Sequence, residues 1–358
     1  MTTIQKDATS LGATAPTMSP DLIKQVRLGA AATEMSYQEA IREALREEMV
    51  RDERVFLMGE DIGEHGGAFG VTRTLFKQFG PERVRNTPIS ENTIVGAATG
   101  AALVGMRPVI ELMFVDFSGL AMDQICNQAA KLRLMTGGQC TVPWVLRMPQ
   151  GGGAGKSTAA QHSQSLEVWY GHTPGLKVVL PSTPYDAKGL LKTAIRDDNP
   201  IIFLEHKFLY AFRGLVPDEE YTLPLSQCDI KREGEDVTVV ASGYMVWHAM
   251  LAAQILAQEG VSVEVVDVRT ISPLDRETIG RSAGKTGRVV LVAEACQSYG
   301  PTGEWAMVVI EQAFDYLLAP IVRVTGRDSP VPFANSIENG VWPGTDDVIR
   351  AIRTVINY

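Results

Sequence analysis

Two short stretches of the chain combine residue types that do chemistry. The first is Thr87-Pro88-Ile89-Ser90-Glu91, an extended piece that delivers a carboxylate to the start of an almost wholly apolar helix, "ENTIVGAATGAALVG". A carboxylate at a helix N-terminus ordinarily caps the dipole and stays ionised. If the same carboxyl faces a dry site, desolvation favours its protonated form. The residues leave both open, a helix cap or an acid–base group. The second stretch is "PQGGGAGKSTAAQHSQS", Pro149 to Ser165, which follows an apolar run from Val142 to Met148 that reads as a buried strand. Glycines, Lys156 and Ser157 behind a strand suggest a phosphate cradle. A G-x-x-x-x-G-K-[ST] loop would need glycine at 150, where the chain has Gln150; Gly151 is one residue too close for backbone N–H groups to wrap a phosphate. This disfavours a triphosphatase or a purine-nucleotide switch. The chemical residue that remains is His162. It sits on neither a helical nor a strand face, and is either a solvated loop histidine or an acid–base group on a glycine-rich loop.

Other chemistries find little support. His65, His172, His206 and His248 are as isolated as His162, with no H-E-x-x-H spacing, and there is no G-x-S-x-G nucleophile elbow. The four cysteines, Cys126, Cys140, Cys228 and Cys296, form no C-x-x-C pair, which argues against a zinc site or a disulfide framework and for buried free thiols. A net charge of −9 argues against nucleic acid as partner. The longest small-apolar run, Ile94 to Met106, is too short to span a bilayer. Residues 1–33 carry neither a secretory signal nor an Arg-rich transit pattern, so the expectation is a cytoplasmic protein with a disordered arm, or an arm lying on a neighbouring subunit.

The elements that must position these groups read as alternating strands and helices. At 358 residues, with 45% hydrophobic and 21% charged residues, the chain fits two α/β domains of a globular protein. Ser36-Tyr37-Gln38-Glu39 is a capping box, with Ile41, Ala44, Leu45 and Met49 following at helical spacing. "RVFLMGED", "RPVIELMF", "VPWVLRMP", "LKVVLPS" and "PIIFLEH" are near-continuous apolar strands, and "FSGLAMDQICNQAAKLRLM" reads as one helix. Such strands form a parallel sheet covered on both faces. The rhythm breaks over 213–236, read as a linker. A second α/β unit, 237–358, then carries strands "VTVVASG", "SVEVVDV", "RVVLVAE" and "IVRVTG". The expected organisation is an arm over 1–34, a first α/β domain over 35–212, the linker, and the second domain.

In order along the chain, "GED" at 59–61, "TPISE" at 87–91, "ELMFVDF" at 111–117, "AAQHSQS" at 159–165, "PGLKVV" at 174–179, "DAKGLL…AIRDDNP" at 186–200 and "EGVSVEVVDVRTISPLD" form a series. From about Met35 to the C-terminus this series resembles the β subunit of the E1 component of 2-oxo acid dehydrogenase complexes, which is transketolase-like and thiamine-diphosphate-dependent. The fold so implied is a pair of doubly wound α/β domains, a pyrimidine-binding one and a transketolase C-terminal one, the latter serving dimerisation and E2 docking.

The resemblance implies roles residue by residue. Glu91 matches the glutamate that hydrogen-bonds N1′ of the cofactor aminopyrimidine and favours the imino tautomer that deprotonates thiazolium C2. Phe117 matches the aromatic that stacks on the pyrimidine, and Met113 in the same stretch is carried over as a cofactor contact. Glu60 matches an acid that helps relay protons between paired active sites. His162 matches the histidine at the cofactor mouth, assisting substrate and acyl transfer to lipoamide, with the glycine loop as a mobile wall. No G-D-G motif occurs in the chain. The Mg2+ and diphosphate would therefore be held by a separate α chain in an α2β2 heterotetramer. A structural K+ is implied at Trp144, Ala194, Ile195, Asp197 and Asn199, whose oxygens suit a hard cation; the plain alternative is a helix end before Pro200. Pyruvate is the first expected substrate, acetoin the second and branched-chain 2-oxo acids the third. A non-catalytic scaffold subunit is the alternative of a different class.

Overall fold

The computed structural model describes residues 31–152 and 158–358. Most of the expected N-terminal arm, and Gly153 to Ser157 of the glycine loop, lie outside these residues. Ala32 and the two residues after it already belong to a strand, β1 (Ala32–Ser36). The capping box forms as read: the Glu39 N–H donates to Ser36 Oγ at 3.2 Å and the Ser36 N–H to Glu39 Oε2 at 2.7 Å. It starts the helix Tyr37–Arg51, whose apolar stripe of Tyr37, Ala40, Ile41, Ala44, Leu45 and Met49 is buried.

The first sheet is built from β2 (Val55–Gly59), β3 (Val84–Asn86), β4 (Arg107–Glu111), β5 (Val145–Gln150), β6 (Lys177–Val179) and β7 (Ile201–His206). These six are parallel, in the order β6-β7-β5-β4-β2-β3. Alternation within β2 shows why its residues are apolar throughout. Val55 and Leu57 pack into one hydrophobic layer, and Phe56 and Met58 into the layer on the other face. The helix Tyr37–Arg51 and the helix Pro184–Arg196 cover the first face; the helix Glu91–Leu103 covers the second.

The segment 213–236, read as a linker, holds two strands. β8 (Arg213–Pro217) pairs antiparallel with β1, and β9 (Asp229–Arg232) adds an antiparallel edge to the second sheet. Its prolines and charges hid them, because edge strands tolerate both. The second sheet continues with β10 (Val237–Ala241), β11 (Val263–Asp267), β13 (Val289–Cys296) and β14 (Val322–Gly326), parallel in the order β14-β13-β10-β11-β9. Both faces are again apolar, covered by the helices Tyr244–Ala257 and Thr345–Ile356 on one side and Arg276–Thr286 and Pro301–Ala313 on the other. A short strand absent from the sequence reading, β12 (Thr270–Ser272), leaves the second unit to pair antiparallel with β6. It ties the two sheets together. Below it, Arg269 and Lys231 meet the buried Asp186 of the first unit at 2.7 and 2.5 Å.

Two further expectations change. Residues 117–135 do not form one α-helix: a 3-10 helix, Val115–Ala121, is followed by a π-helical stretch, Asp123–Ala129, and by α-helix from Ala130. Gly119 weakens the regular helix, and the side chain of Gln124 packs directly on Gly96 of the neighbouring helix. Of the four free cysteines only Cys228 is buried; Cys126 and Cys140 are half-buried and Cys296 is exposed.

Candidate active site

In a parallel sheet the strand ends that share a direction gather the loops that carry function. β2, β3 and β4 are in register at their carboxyl ends, with Gly59 opposite both Asn86 and Glu111. Gly59 has to be glycine: a Cβ there would lie 2.5 Å from the Glu111 carbonyl oxygen. This close approach places Glu60, the Thr87–Glu91 stretch and Met113 along one edge. Glu60 follows β2 directly. Glu91 is the first residue of the helix Glu91–Leu103, whose N-cap, Ser90, makes no side-chain cap. Each of the two glutamates is 7% exposed. Among the described residues, neither carboxylate accepts a hydrogen bond or forms an ion pair. The Glu60 carboxyl is pushed above its ordinary range, first by burial and then by the charges of Glu91 and Asp61.

The next loop along the same edge supplies an aromatic wall. Phe117, in the 3-10 helix after β4, lies edge-on to His162 at 5.1 Å between ring centroids. Phe114 packs edge-on to both, 4.7 Å from His162 and 5.6 Å from Phe117. His162 comes from the segment after β5. The structure thus brings His162 and Phe117 into contact, places Glu60 beside Glu91, and sets Met113, half-buried, between β4 and the aromatic pair. Two polar atoms in the same loops are buried without a hydrogen-bond partner, Thr87 Oγ1 and Asp116 Oδ2. The other Asp116 oxygen accepts from Gln164 Nε2 at 2.8 Å, joining the 3-10 helix to the His162 segment.

Several residues at this edge escaped the sequence reading. Lys207, just after β7, donates to Thr158 Oγ1 at 2.9 Å and to the His162 carbonyl, and its ammonium lies 5.4 Å from the Phe114 ring centroid. Burial lowers its pKa to about 8. His206, read as isolated, pairs at 2.6 Å with Glu294 of β13, a residue 88 positions away. Under the site, Arg147 of β5 bridges Glu111 at 2.7 Å and both oxygens of Glu205 at 2.7 and 2.9 Å, while Tyr210 donates to Glu205 at 2.7 Å. The four groups are buried, and this network fixes the carboxyl ends of β4, β5 and β7 relative to one another. Only spacing-free pairings of this kind distinguish these residues, so no local motif could have found them.

The residues of the expected potassium set gather at the opposite, amino edge. The Trp144 carbonyl accepts from the Ile201 N–H at 3.0 Å. Arg107 donates to the carbonyls of Ile195 and Asp197, each at 3.0 Å. Lys177 pairs with Asp197 at 2.5 Å, and Arg133 donates to Asn199 Oδ1 at 2.7 Å. The Asn199 backbone and amide N–H groups donate to the other Asp197 oxygen at 2.8 and 2.7 Å, so the side-chain oxygens of the set are already met by protein donors. Its backbone carbonyls each keep a lone pair.

Two family models match the chain: transketolase, pyrimidine binding domain, over residues 33–212, and transketolase, C-terminal domain, over 226–348. A rice relative, pyruvate dehydrogenase E1 component subunit beta-2, mitochondrial, is 47% identical over 328 residues, covering 90% of this chain and 87% of its own. The chain belongs to the β-subunit family of 2-oxo acid dehydrogenase E1 components. The 2-oxoisovalerate dehydrogenase subunit beta of Bacillus subtilis is 46% identical over 326 residues, 90% of this chain and 99% of that one. Pyruvate dehydrogenase E1 component subunit beta of Rickettsia felis is 46% identical over 325 residues, 91% and 99%. Among solved structures, a split-gene transketolase described as an inactive beta4 tetramer aligns with a TM-score of 0.70 at 23% identity, covering 90% of this chain and 98% of its own, a likeness of fold.

Membership in this E1β family implies thiamine diphosphate dependence and an α-subunit partner. The carboxyl edge fits the pyrimidine half of that cofactor. It offers a buried glutamate with an unfilled acceptor, an aromatic wall, and the unpartnered Thr87 and Asp116 atoms. Among the described residues no cluster of three His, Cys, Asp or Glu side chains could hold a metal, and no helix is long and apolar enough to cross a membrane. The relatives include bacterial and mitochondrial proteins.

Proposed function

We propose that this chain is the β half of an α2β2 E1 enzyme that oxidatively decarboxylates a 2-oxo acid, pyruvate first, and passes the acyl group to the lipoyl group of an E2 acyltransferase. When bound, thiamine diphosphate would supply the carbon nucleophile for the ketone and the sink for the electrons that decarboxylation releases. The α chain holds its diphosphate and Mg2+. The observation that carries the reading is the pair of buried carboxylates, Glu60 and Glu91, left without donors among the described residues on the same edge as the wall of Phe114, Phe117 and His162.

In this site Glu91 presents its carboxyl to the pyrimidine ring nitrogen and holds or shares a proton there. Among the described residues no other donor competes for that carboxyl. Phe117 orients the ring by its face, with Met113 beside it. Glu60, whose carboxyl is pushed above its ordinary range by burial and then by the neighbouring charges, is placed to pass a proton along the edge. His162 stands at the mouth and donates or accepts a proton as the acyl group leaves. A potassium ion on the carbonyls of Trp144, Ala194 and Ile195, with Asp197 and Asn199 behind them, would brace the opposite edge.

Branched-chain 2-oxo acids are the second reading, since the pyruvate and 2-oxoisovalerate relatives match almost equally well. The test is co-expression with a candidate α chain carrying G-D-G, followed by a dye-acceptor assay on pyruvate, branched-chain 2-oxo acids and acetoin. Pyruvate should show the highest kcat/KM. A preference for acetoin or a branched acid would reassign the substrate, and a stable complex inactive on all three would favour a scaffold subunit.

A further inference from the structure

We propose that Glu294, reaching across from the second domain, is the positioning residue for the segment that carries His162. Glu294 lies in β13 and is buried. Its Oε1 accepts the Gly152 N–H at 2.8 Å and the Ser165 hydroxyl at 3.0 Å. These two residues flank His162 on either side, so one carboxylate oxygen holds both ends of the segment. The second oxygen, Oε2, lies 2.6 Å from His206 Nε2. His206 Nδ1 accepts from the Phe208 N–H at 3.3 Å, which leaves the ring proton on Nε2 to be donated to Glu294. The three contacts fix the carboxylate from three directions.

The backbone is shaped for this approach. Gly151 has φ +90°, and a Cβ there would lie 2.1 Å from His206 Nε2 and 2.8 Å from Glu294 Oε1. A Cβ on Gly152 would meet the Trp342 ring, also from the second domain, at 2.6 Å. The glycines at the head of the loop thus serve close packing against a carboxylate rather than a phosphate. Besides His206, the ionisable groups that Glu294 influences are Lys207, Glu167, Tyr244 and His248. Burial pushes the Glu294 carboxyl up, but His206 and the two donors Gly152 and Ser165 outweigh it and hold the carboxyl below its ordinary range. Lys207 anchors the same segment from the first domain, through Thr158 and the His162 carbonyl. The second domain therefore sets the geometry of a group that acts in the first.

The inference rests on His162 acting at the site, as proposed above, and its test separates the two. Glu294→Ala, Glu294→Gln and Ser165→Ala are made in the α2β2 enzyme, with His162→Ala as reference. Hydrogen exchange of the 158–166 peptide is followed by mass spectrometry, and overall flux to a lipoyl acceptor is compared with the KM for the 2-oxo acid. Glu294→Ala should speed exchange of that peptide and cut flux about tenfold or more, a loss typical of small misplacements, with KM within about twofold. Ser165→Ala removes one of the two end contacts and should fall between. Glu294→Gln keeps an oxygen for Gly152 and Ser165 but turns an amide N–H toward His206 Nε2, so it should exchange and turn over at rates between those of wild type and Glu294→Ala. Unchanged exchange of that peptide in Glu294→Ala, or in Ser165→Ala, would overturn the proposal; if Glu294→Ala does not assemble, Ser165→Ala decides it by the same readouts. Normal flux in His162→Ala would remove the role of His162 and leave the exchange result to judge the clamp.

Discussion

Glu60 and Glu91 face each other across the carboxyl ends of two neighbouring strands, where burial and then the Glu91 charge raise the pKa of Glu60, and neither side chain has a hydrogen-bond donor among the described residues. A buried carboxylate without a donor is costly, and two side by side cost more, since ionising one opposes ionising the other. Nothing in the packing of β2 or the helix Glu91–Leu103 requires either acid. Their cost accords with the site proposed above, in which a bound cofactor would supply the missing partners.

That cost makes a stability prediction for Glu60. Its pKa in the fold is raised, so the native state is relatively favoured below the ordinary carboxylate range and loses that advantage as pH rises through the raised value. Glu60→Gln should therefore melt at a higher temperature than wild type at pH 8, with the difference shrinking toward pH 4, while enzyme activity falls. Calorimetry across that range is the check, and a Gln variant less stable at pH 8 would contradict it.

Arg147 makes the opposite prediction. It neutralises Glu111 and Glu205 in a fully buried network. Arg147→Met leaves two buried carboxylates facing each other and should cost about 3–5 kcal/mol. Burial and Glu205 already push the Glu111 carboxyl up. The deficit should therefore be smaller at pH 5, where the orphaned acids can take up protons, than at pH 8. Denaturant midpoints at the two pH values test this.

How much could be read from the chain alone follows the range of each interaction. The strands were legible because a doubly covered strand is apolar on both faces, as β2 is with Val55, Phe56, Leu57 and Met58. Glu91 drew attention from its own surroundings, at the start of an apolar helix, whereas Glu60 and Phe117 came only from the family resemblance; each follows a strand within a few residues, so the fold takes all three to one edge. His162 stood out only as a histidine on a glycine-rich loop, and its role came from the resemblance, since a lone loop histidine carries no further signal. The Glu294–His206 pair, the Lys207 anchor and the Arg147 network were invisible, because each depends on which strands become neighbours. The edge strands β8 and β9, and the π-helical stretch over Asp123–Ala129, were lost because tertiary pairing there overrides local pattern.

Lys207 should give an alkaline signature. Burial lowers its pKa to about 8, well under the value in an unfolded chain. A base with a depressed native pKa destabilises the fold while charged, and that cost is relieved as pH rises above its native pKa. Wild type should gain stability relative to Lys207→Met between about pH 8 and pH 10, the interval between the native and unfolded values. Parallel pH–stability curves for the two proteins would contradict the assignment.

The potassium proposal is tested by ion exchange. Melting in KCl should exceed melting in choline chloride at equal ionic strength, with NaCl between, if carbonyls of Trp144, Ala194 and Ile195 hold a cation of that size. Identical melting in all three salts would leave the corner to Arg107, Lys177 and Arg133 alone.

The central claim is that the Glu91 carboxyl handles a proton at the pyrimidine edge, and proton exchange at thiazolium C2 measures it most directly. In the assembled, cofactor-loaded α2β2 enzyme, Glu91→Gln should leave assembly and cofactor binding intact and slow exchange of the C2 proton into deuterated solvent by about a hundredfold or more, the scale of lost acid–base catalysis. Exchange at the wild-type rate in that variant would contradict the account.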